Sequence, residues 1–302
     1  MTAETPSPAV PARPKSGRGP SGLFLTDLDG TLLGPERTIA EDDRRALLAL
    51  GDAGIVRAVA TGRSIFSLRR LDLAALPVDY LIVSSGAGVL EHPSGRLLRA
   101  VSMEEGDVRR AFRALRELGF DFMIHEPIPE THRFRYVALT GNNPDFTARI
   151  ELYRDVAQPA AEHDSEAPGR ATQLVAILPP GRAAEGVEAV RRALPGLTVI
   201  RTTSPLDGRS TWIEILPPGV SKASGAAWLA ERLGIPHRLT AAVGNDFNDL
   251  ELLSWAETAF VTGNAPEELR RRFTPVPANS RGGVGEAIRR WLPRLRGEEE
   301  RL

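Results

Sequence analysis

Apolar runs alternate with polar, helix-like segments over the first part of the chain, and three continuous apolar runs predict buried strands. Between the first two, Thr38 and Glu41 fit a capping box that begins a helix, and Gly54 fits its end. A second helix is predicted to about Leu71. The order strand, helix, strand, helix, strand predicts a parallel sheet with right-handed crossovers. The three runs are residues 22–26, 55–60 and 80–84.

From about residue 89 the pattern changes, and strands follow one another with short connections. Neighbouring strands of this kind predict an α+β unit with antiparallel pairs. We therefore expect an inserted domain over residues 89–215. Its predicted helices are 104–118, 145–155 and 182–194, and its predicted strands are 120–125, 134–140, 173–178, 197–201 and 211–216, with a polar stretch at 156–170.

The parallel pattern resumes after the insert. A helix from Ser221 to Leu233 is followed by strands at 239–243 and 258–262. Two more helices are predicted at 266–272 and 284–291. The predicted fold is therefore α/β, with a discontinuous parallel-sheet core over 21–88 and 216–302 and an α+β insert between its halves.

Composition narrows the classes of function. The chain has 302 residues, is 42% hydrophobic and 25% charged, and carries a formal net charge of -1. No basic stripe suggests nucleic acid, no apolar run suggests a membrane span, and the absence of cysteine excludes disulfides and thiolate sites. Residues 1–20 have no apolar signal-peptide core, which favours a disordered tail in a cytoplasmic protein. We expect a monomer or a weak homodimer.

Candidate chemistry lies at the ends of the predicted strands. Asp27 and Asp29 end the first strand, and residues two apart on a strand point the same way. An Asp-rich turn and a calcium loop are the alternatives, although Leu25 stands where a calcium loop needs its first acid. Thr61 ends the second strand, Lys222 opens a helix, and Asp249 lies in an acidic turn.

Open α/β sheets bind ligands at the carboxyl ends of their strands. These side chains are therefore expected to meet at one edge of the sheet, where they would supply a nucleophile, an acid, a hydroxyl, a cation for phosphate and a carboxylate for a metal.

The motifs in this order resemble the haloacid dehalogenase superfamily, and within it the Cof-type, sugar-phosphatase-like branch with the type IIB cap. The resemblance covers about residues 21–302. It implies a Rossmann-like core with an α/β cap inserted after the third strand, and a magnesium-dependent phosphatase of phosphorylated sugars or related metabolites. The motifs are Asp27-Leu28-Asp29-Gly30-Thr31, Thr61-Gly62-Arg63, Gly219-Val220-Ser221-Lys222 and Gly244-Asn245-Asp246-Phe247-Asn248-Asp249.

The same resemblance implies roles for single residues. Asp27 would attack phosphorus and form an aspartyl phosphate, while Asp29 would protonate the leaving alcohol and then activate water. Thr61 and Lys222 would hold the phosphoryl oxygens. Mg²⁺ would be bound by Asp27, the Asp29 carbonyl, Asn245 and Asp249. The expected contacts to a small phosphorylated metabolite are Gly30, Thr61, Gly62, Arg63, Ser85, Gly86, Lys222 and Asn248.

The chain departs from the family pattern at two positions. Asn245 stands where the first acid of the last motif belongs, and Ser85 stands where asparagine is common. If a helix begins near Gly244, Asn245 and Asp249 face the crevice and Asp246 is rotated about 100° away. The loss of one acid predicts weaker magnesium binding.

Three functions remain open at this point. The first is a phosphatase, the second a phosphotransferase or mutase of the same fold, and the third a non-catalytic sensor of a phosphorylated ligand with a weakened metal site. Selectivity is expected to come from the insert, where His125, Arg201 and Arg209 lie near predicted strand ends.

Overall fold

The computed structural model describes residues 21–71, 76–160 and 169–295, and the statements on structure below refer to these ranges. The predicted tail at residues 1–20 lies outside the described residues, and so do residues 161–168 of the polar stretch at 156–170. Among the described residues, no helix combines the length and the apolar character that a membrane span requires.

The elements of the described residues follow the predicted order. The strands are β1 (Leu23–Thr26), β2 (Val56–Ala60), β3 (Tyr80–Val83), β4 (Gly88–Glu91), β5 (Leu97–Ala100), β6 (Asp121–His125), β7 (Phe134–Val137), β8 (Ala157–Pro159), β9 (Gln173–Leu178), β10 (Thr198–Thr203), β11 (Thr211–Leu216), β12 (Thr240–Gly244), β13 (Thr258–Thr262) and β14 (Thr274–Val276). The helices are α1 (Glu41–Asp52), α2 (Ile65–Leu68), α3 (Glu105–Glu117), α4 (Pro144–Leu152), α5 (Ala183–Ala193), α6 (Lys222–Leu233), α7 (Leu250–Trp255), α8 (Glu267–Arg272) and α9 (Gly283–Leu295). The structure thus contains the α/β core and the α+β insert that the pattern predicts.

The core sheet has β1 near its middle. Its order is β14-β13-β12-β1-β2-β3-β4-β5, and β1 pairs in parallel with β12 and β2. Every residue of β1 is buried, as expected of a parallel strand covered on both faces. Phe24 packs with Trp291 of α9 on one face, while Leu25 packs with Leu229 of α6 on the other. The apolar run at the start of the chain therefore fixes the centre of the sheet.

A second sheet forms the insert, which we call the cap. Its order is β10-β11-β9-β6-β7-β8, and the pairs are antiparallel apart from β7 with β8. In β11, Ile213 and Ile215 join the apolar cluster that contains α3 and α5. Trp212 belongs to a separate cluster on the opposite face, as the period of two along a strand requires. Glu214 shares that face, which α4 also covers, and points away from α3 and α5.

The sequence placed the start of the insert near residue 89, and the sheet pairing differs. β4 pairs antiparallel with β3, and β5 pairs antiparallel with β4, so residues 88–100 complete the core sheet. The change of pattern at this point marks a hairpin at the edge of the core, and the strands of the cap sheet begin only with β6.

The predicted capping box at Thr38 and Glu41 is wrong. α1 begins at Glu41 itself, after Ala40, which has no side chain that could cap the helix. The first turn instead carries Glu41, Asp42 and Asp43, whose charges favour the positive end of the helix dipole.

A close approach between two backbones fixes the start of α6. Gly86 has a φ of +102°, and a Cβ atom there would lie 1.9 Å from the carbonyl oxygen of Ser221. Ser221 caps α6 by accepting a hydrogen bond from the N–H of Ser224. The absence of a side chain at Gly86 therefore lets α6 begin against the turn that follows β3.

We expect Gly86→Ala to destabilise the protein far more than Gly219→Ala. Both glycines have a positive φ, but a Cβ atom at Gly219 meets nothing within 4 Å. Gly219→Ala should cost about 1–2 kcal/mol from backbone strain alone, whereas Gly86→Ala should add about 1–3 kcal/mol from the steric clash. Urea unfolding of both variants measures this difference, and equal losses would contradict the close approach.

Candidate active site

The ends of neighbouring strands bring the predicted residues to one edge of the core sheet. Thr26 pairs in register with Val243 of β12 and with Val59 of β2. Asp27 follows β1 directly, and Thr61 follows β2. Because parallel strands share an edge, the residues that follow them converge, as the sequence predicted.

A buried lysine connects two carboxylates below this edge. Lys222 Nζ donates to Asp27 Oδ1 at 2.7 Å and to Asp249 Oδ1 at 2.5 Å. The three side chains are almost fully buried, with 1% of Lys222, 6% of Asp27 and 0% of Asp249 exposed. An ammonium group between two carboxylates lowers the cost of removing all three charges from water.

The pKa values reflect this arrangement. Burial and the negative charge of Asp249 raise the pKa of Asp27 to about 7, although Lys222 acts in the opposite direction. Burial alone would lower the pKa of Lys222, but the charges of Asp249 and Asp27 outweigh it and raise the pKa. Lys222 is therefore held as an ammonium ion beside Asp27.

Asp249 does not lie where a metal ligand would, so that part of the sequence prediction is corrected. Its Oδ1 accepts from Lys222, and its Oδ2 accepts from the N–H groups of Asn245 at 2.8 Å and Asp246 at 3.1 Å. No helix begins at Gly244, because residue 246 has an extended backbone and a 3-10 turn follows at Phe247–Asp249. Asp249 thus holds Lys222 and the turn.

Asn245 lies among oxygen atoms of the first motif. One end of its side-chain amide lies 2.9 Å from Thr31 Oγ1, 3.2 Å from Asp27 Oδ2 and 3.0 Å from the carbonyl oxygen of Asp29. With Nδ2 at that end, the amide donates to all three oxygens. Asn245 is therefore the residue of the acidic turn that faces Asp27.

Asp29 is paired with Arg63 in a bidentate ion pair. Arg63 Nε and Nη2 each donate to a carboxylate oxygen of Asp29 at 2.6 Å. Thr61 Oγ1 accepts from the N–H of Arg63 at 3.1 Å, which leaves its hydroxyl proton able to donate. Arg63, predicted to contact a phosphorylated ligand, is engaged with Asp29 in this structure.

A cavity of about 640 Å³ lies between the core edge and the cap. The predicted residues that line it are Asp27, Asp29, Gly30, Thr61, Gly62, Arg63, Asn245 and Asn248. The predicted residues buried behind this lining are Ser85, Gly86, Lys222 and Asp249. The cavity is large enough for more than a phosphoryl group, so the cap wall also faces any ligand.

The cap contributes lining residues that the sequence analysis missed: Arg149, Leu152, Tyr153, Thr202, Thr203, Ser204, Pro205, Leu206, Trp212 and Glu214. Burial raises the pKa of Glu214, and the hydroxyl of Ser85 donates to its carboxylate. A lone acid in the otherwise apolar β11 was the available signal for Glu214. His125, Arg201 and Arg209 lie near predicted strand ends from which they could reach a ligand, although the sequence favoured solvated surface for each. None of the three is among the described lining residues.

The contacts of His125 and Arg201 explain why neither residue lines the cavity. His125 Nδ1 lies 2.8 Å from the carbonyl oxygen of Thr131, and burial lowers its pKa to about 3. The guanidinium of Arg201 lies 4.3 Å from the centre of the Phe247 ring. His125 is thus part of the cap interior, and Arg201 joins the cap to the acidic turn.

Asp246 also joins the acidic turn to the cap. Its carboxylate accepts from the N–H of Thr203 at 2.8 Å, from Thr203 Oγ1 at 3.2 Å and from Thr202 Oγ1 at 3.4 Å. These contacts hold the end of β10 against the site, and they occupy the Asp246 carboxylate in this structure.

Comparison with known proteins agrees with this geometry. The family model for haloacid dehalogenase-like hydrolases matches residues 24–288. The HMP-PP phosphatase of Cronobacter sakazakii is 24% identical over 274 residues, which cover 89% of this chain and 95% of that protein. The 5-amino-6-(5-phospho-D-ribitylamino)uracil phosphatase YcsE of Bacillus subtilis is 22% identical, with 89% and 95% covered. A solved subclass IIB sugar phosphatase, BT4131, has a TM-score of 0.71 at 18% identity and covers 89% of this chain and 98% of its own.

The roles of the two acids in the turn predict different stabilities for their alanine variants. Asp249→Ala removes one of the two carboxylates that bind buried Lys222 and should cost about 3–5 kcal/mol. Asp246→Ala removes partly exposed contacts to Thr203 and should cost about 1 kcal/mol. Denaturant unfolding of both variants gives the comparison, and a larger loss for Asp246→Ala would show that Asp249 does not anchor the site.

Proposed function

The chain belongs to the haloacid dehalogenase-like hydrolases, and on that premise we propose that it is a phosphatase of small phosphorylated metabolites, sugar phosphates among them. The observation that carries the proposal is Asp27, which faces the cavity under the cap with Lys222 Nζ at 2.7 Å. The phosphatase activities of the two bacterial relatives and the fold of a sugar phosphatase support it.

Two steps on Asp27 make up the reaction. A carboxylate oxygen of Asp27 attacks phosphorus, the bond to the alcohol breaks, and the alcohol leaves with a proton from Asp29. Water then attacks the phosphorus of phospho-Asp27, gives its proton to Asp29, and inorganic phosphate leaves. The Thr61 hydroxyl, on the cavity wall, would donate to the phosphoryl oxygens, where negative charge is spread in the transition state. Lys222, buried behind Asp27, would supply positive charge beside the same group.

The ion pair between Asp29 and Arg63 has to open during this cycle. Both carboxylate oxygens of Asp29 accept from Arg63, so Asp29 can reach a leaving oxygen only after the pair separates. A bound phosphoryl group offers Arg63 a competing anion of the bidentate kind that guanidinium groups prefer. Binding of the substrate would therefore release the Asp29 carboxylate, which would take up a proton from solvent and then pass it to the leaving alcohol.

The oxygen atoms around Asn245 fit a magnesium ion. Octahedral ligands about 2.1 Å from Mg²⁺ lie about 3 Å from each other. If the amide turns so that its oxygen replaces Nδ2 at this end, Asn245 Oδ1, Asp27 Oδ2 and the Asp29 carbonyl would hold the ion. Asp27 Oδ2 lies 3.2 Å and the Asp29 carbonyl 3.0 Å from that end of the amide, which is the required spacing. Within the described ranges, no group of three or more acidic, histidine or cysteine side chains could hold a metal ion. The set of donors proposed here is of another kind, because two of its three oxygens come from an amide side chain and a main-chain carbonyl. A bound ion would neutralise charge on the phosphoryl oxygens.

Asp27→Asn should lower phosphate release by several orders of magnitude while the protein stays folded, because no neighbouring group replaces the nucleophile. Phosphate release from a panel of sugar phosphates with Mg²⁺ is the measurement, with unfolding temperature as the check on folding. The matched control is Asp42→Asn, the same change at an exposed surface residue.

Turnover near normal in Asp27→Asn would contradict the proposed mechanism. Adding an acceptor sugar to the same assay separates hydrolysis from phosphoryl transfer, because transfer forms a new sugar phosphate in place of inorganic phosphate. A wild-type protein that binds sugar phosphates and releases none would instead be a sensor.

Asn245→Asp should bind Mg²⁺ more tightly and should be less stable without it. The added carboxylate strengthens attraction for the ion, but without the ion it faces Asp27 Oδ2 and the Asp29 carbonyl at about 3 Å, where an amide can donate. Unfolding temperature in EDTA and in a Mg²⁺ titration measures both effects.

Asn248→Asp is the matched control, since it adds the same charge to the cavity wall elsewhere in the turn. If Asn248→Asp changes the magnesium response as much as Asn245→Asp does, the amide of Asn245 is not at the metal site.

A further inference from the structure

Arg149 is a cation on the cap wall of the cavity with unused hydrogen-bonding capacity. It lies on α4, and its guanidinium carbon is 4.2 Å from the centre of the Tyr153 ring and 5.1 Å from that of Trp212. Its Nε atom is buried and has no hydrogen-bond partner. Burial lowers the pKa of Arg149, as expected for a guanidinium that has lost much of its hydration.

Arg70 supplies a second cation at the mouth of the same cavity. Its guanidinium carbon lies 5.7 Å from the centre of the Tyr153 ring and 4.6 Å from that of Phe66. Both arginines line the cavity. Across residues 21–71, 76–160 and 169–295, no carboxylate oxygen lies within 4.0 Å of either guanidinium. Two cations thus flank one tyrosine ring, and no acid within the described ranges pairs with either.

The acids nearby already have partners. The carboxylate of Asp145, on the same helix as Arg149, accepts from Ser204 Oγ at 2.8 Å and from Trp212 Nε1 at 2.6 Å. Every acidic side chain among the described lining residues is also hydrogen-bonded. The pairs are Asp27 with Lys222, Asp29 with Arg63, Asp246 with Thr202 and Thr203, and Glu214 with Ser85.

We propose that the cavity selects phosphomonoesters that carry a second anionic group, a phosphate or a carboxylate, which Arg149 and Arg70 bind beside the Tyr153 ring. A buried cation is costly unless it is paired, and an anionic ligand supplies the missing partner. The inference rests on the proposed phosphatase function, and it specifies that the preferred substrate carries a second negative group.

Two substrate pairs test the inference in the wild-type protein. Each pair has a singly and a doubly anionic member: glucose 6-phosphate with 6-phosphogluconate, and fructose 6-phosphate with fructose 1,6-bisphosphate. We expect the doubly anionic member of at least one pair to have a kcat/KM about tenfold higher or more. The pair that shows the advantage tells a carboxylate from a phosphate, and an advantage in neither pair overturns the inference.

Arg149→Gln should remove that advantage. The KM for the doubly anionic substrate should rise about tenfold with kcat nearly unchanged, while kcat/KM for the singly anionic member stays within about twofold. Arg149→Lys should retain part of the advantage. The control is Arg154→Gln. Arg154 is an exposed arginine just beyond α4 and pairs with Glu151 at 2.8 Å, so its replacement should leave kcat/KM unchanged for both substrates. An advantage that survives in Arg149→Gln overturns the assignment.

Calorimetry separates failure of the inference from failure of the proposed function. Fructose 1,6-bisphosphate and fructose 6-phosphate are titrated into Asp27→Asn and into Asp27→Asn with Arg149→Gln, with Mg²⁺ present. Tighter binding of the bisphosphate that is lost with Arg149 supports the subsite even if the wild-type protein hydrolyses neither compound. Equal binding of the two ligands, together with hydrolysis by the wild-type protein, rejects the subsite and leaves the phosphatase standing.

Discussion

The site depends on the buried ammonium group of Lys222 between Asp27 and Asp249. A buried charge that has lost its hydration is costly unless it is paired, and each of these three groups has a partner of opposite charge. Burial, followed by the negative charge of Asp249, raises the pKa of Asp27. The geometry that brings Lys222 there also requires α6 to begin against the turn after β3, which the missing side chain of Gly86 permits.

Two polar contacts attach the cap directly to this site. Asp246 accepts hydrogen bonds from Thr203 at the end of β10, and Glu214 of β11 accepts one from Ser85 of the core. Both contacts use residues of the cavity wall or of the turns beside it. Any movement of the cap would therefore change the surroundings of the reacting groups, and closure would remove water from them.

The core part of the site could be predicted because its residues directly follow buried strands. Asp27 and Thr61 stand at the ends of apolar runs, and parallel pairing brings such ends together. The cap part could not, because Arg149 and Glu214 come from separate elements whose convergence depends on how the cap sheet is docked on the core. The role of Asp249 was also out of reach, since it depends on a turn that precedes α7 where a helix was expected.

The substitution at Asn245 and the arginines of the cap wall act in the same electrostatic direction. An acid at position 245 would add negative charge beside Asp27, while the amide leaves the floor of the cavity less negative. Arg149 adds positive charge on the opposite wall without a paired acid among the described residues. A strongly anionic ligand therefore meets less repulsion at the floor and more attraction at the wall. A weaker hold on a metal ion is the expected consequence of that same missing charge.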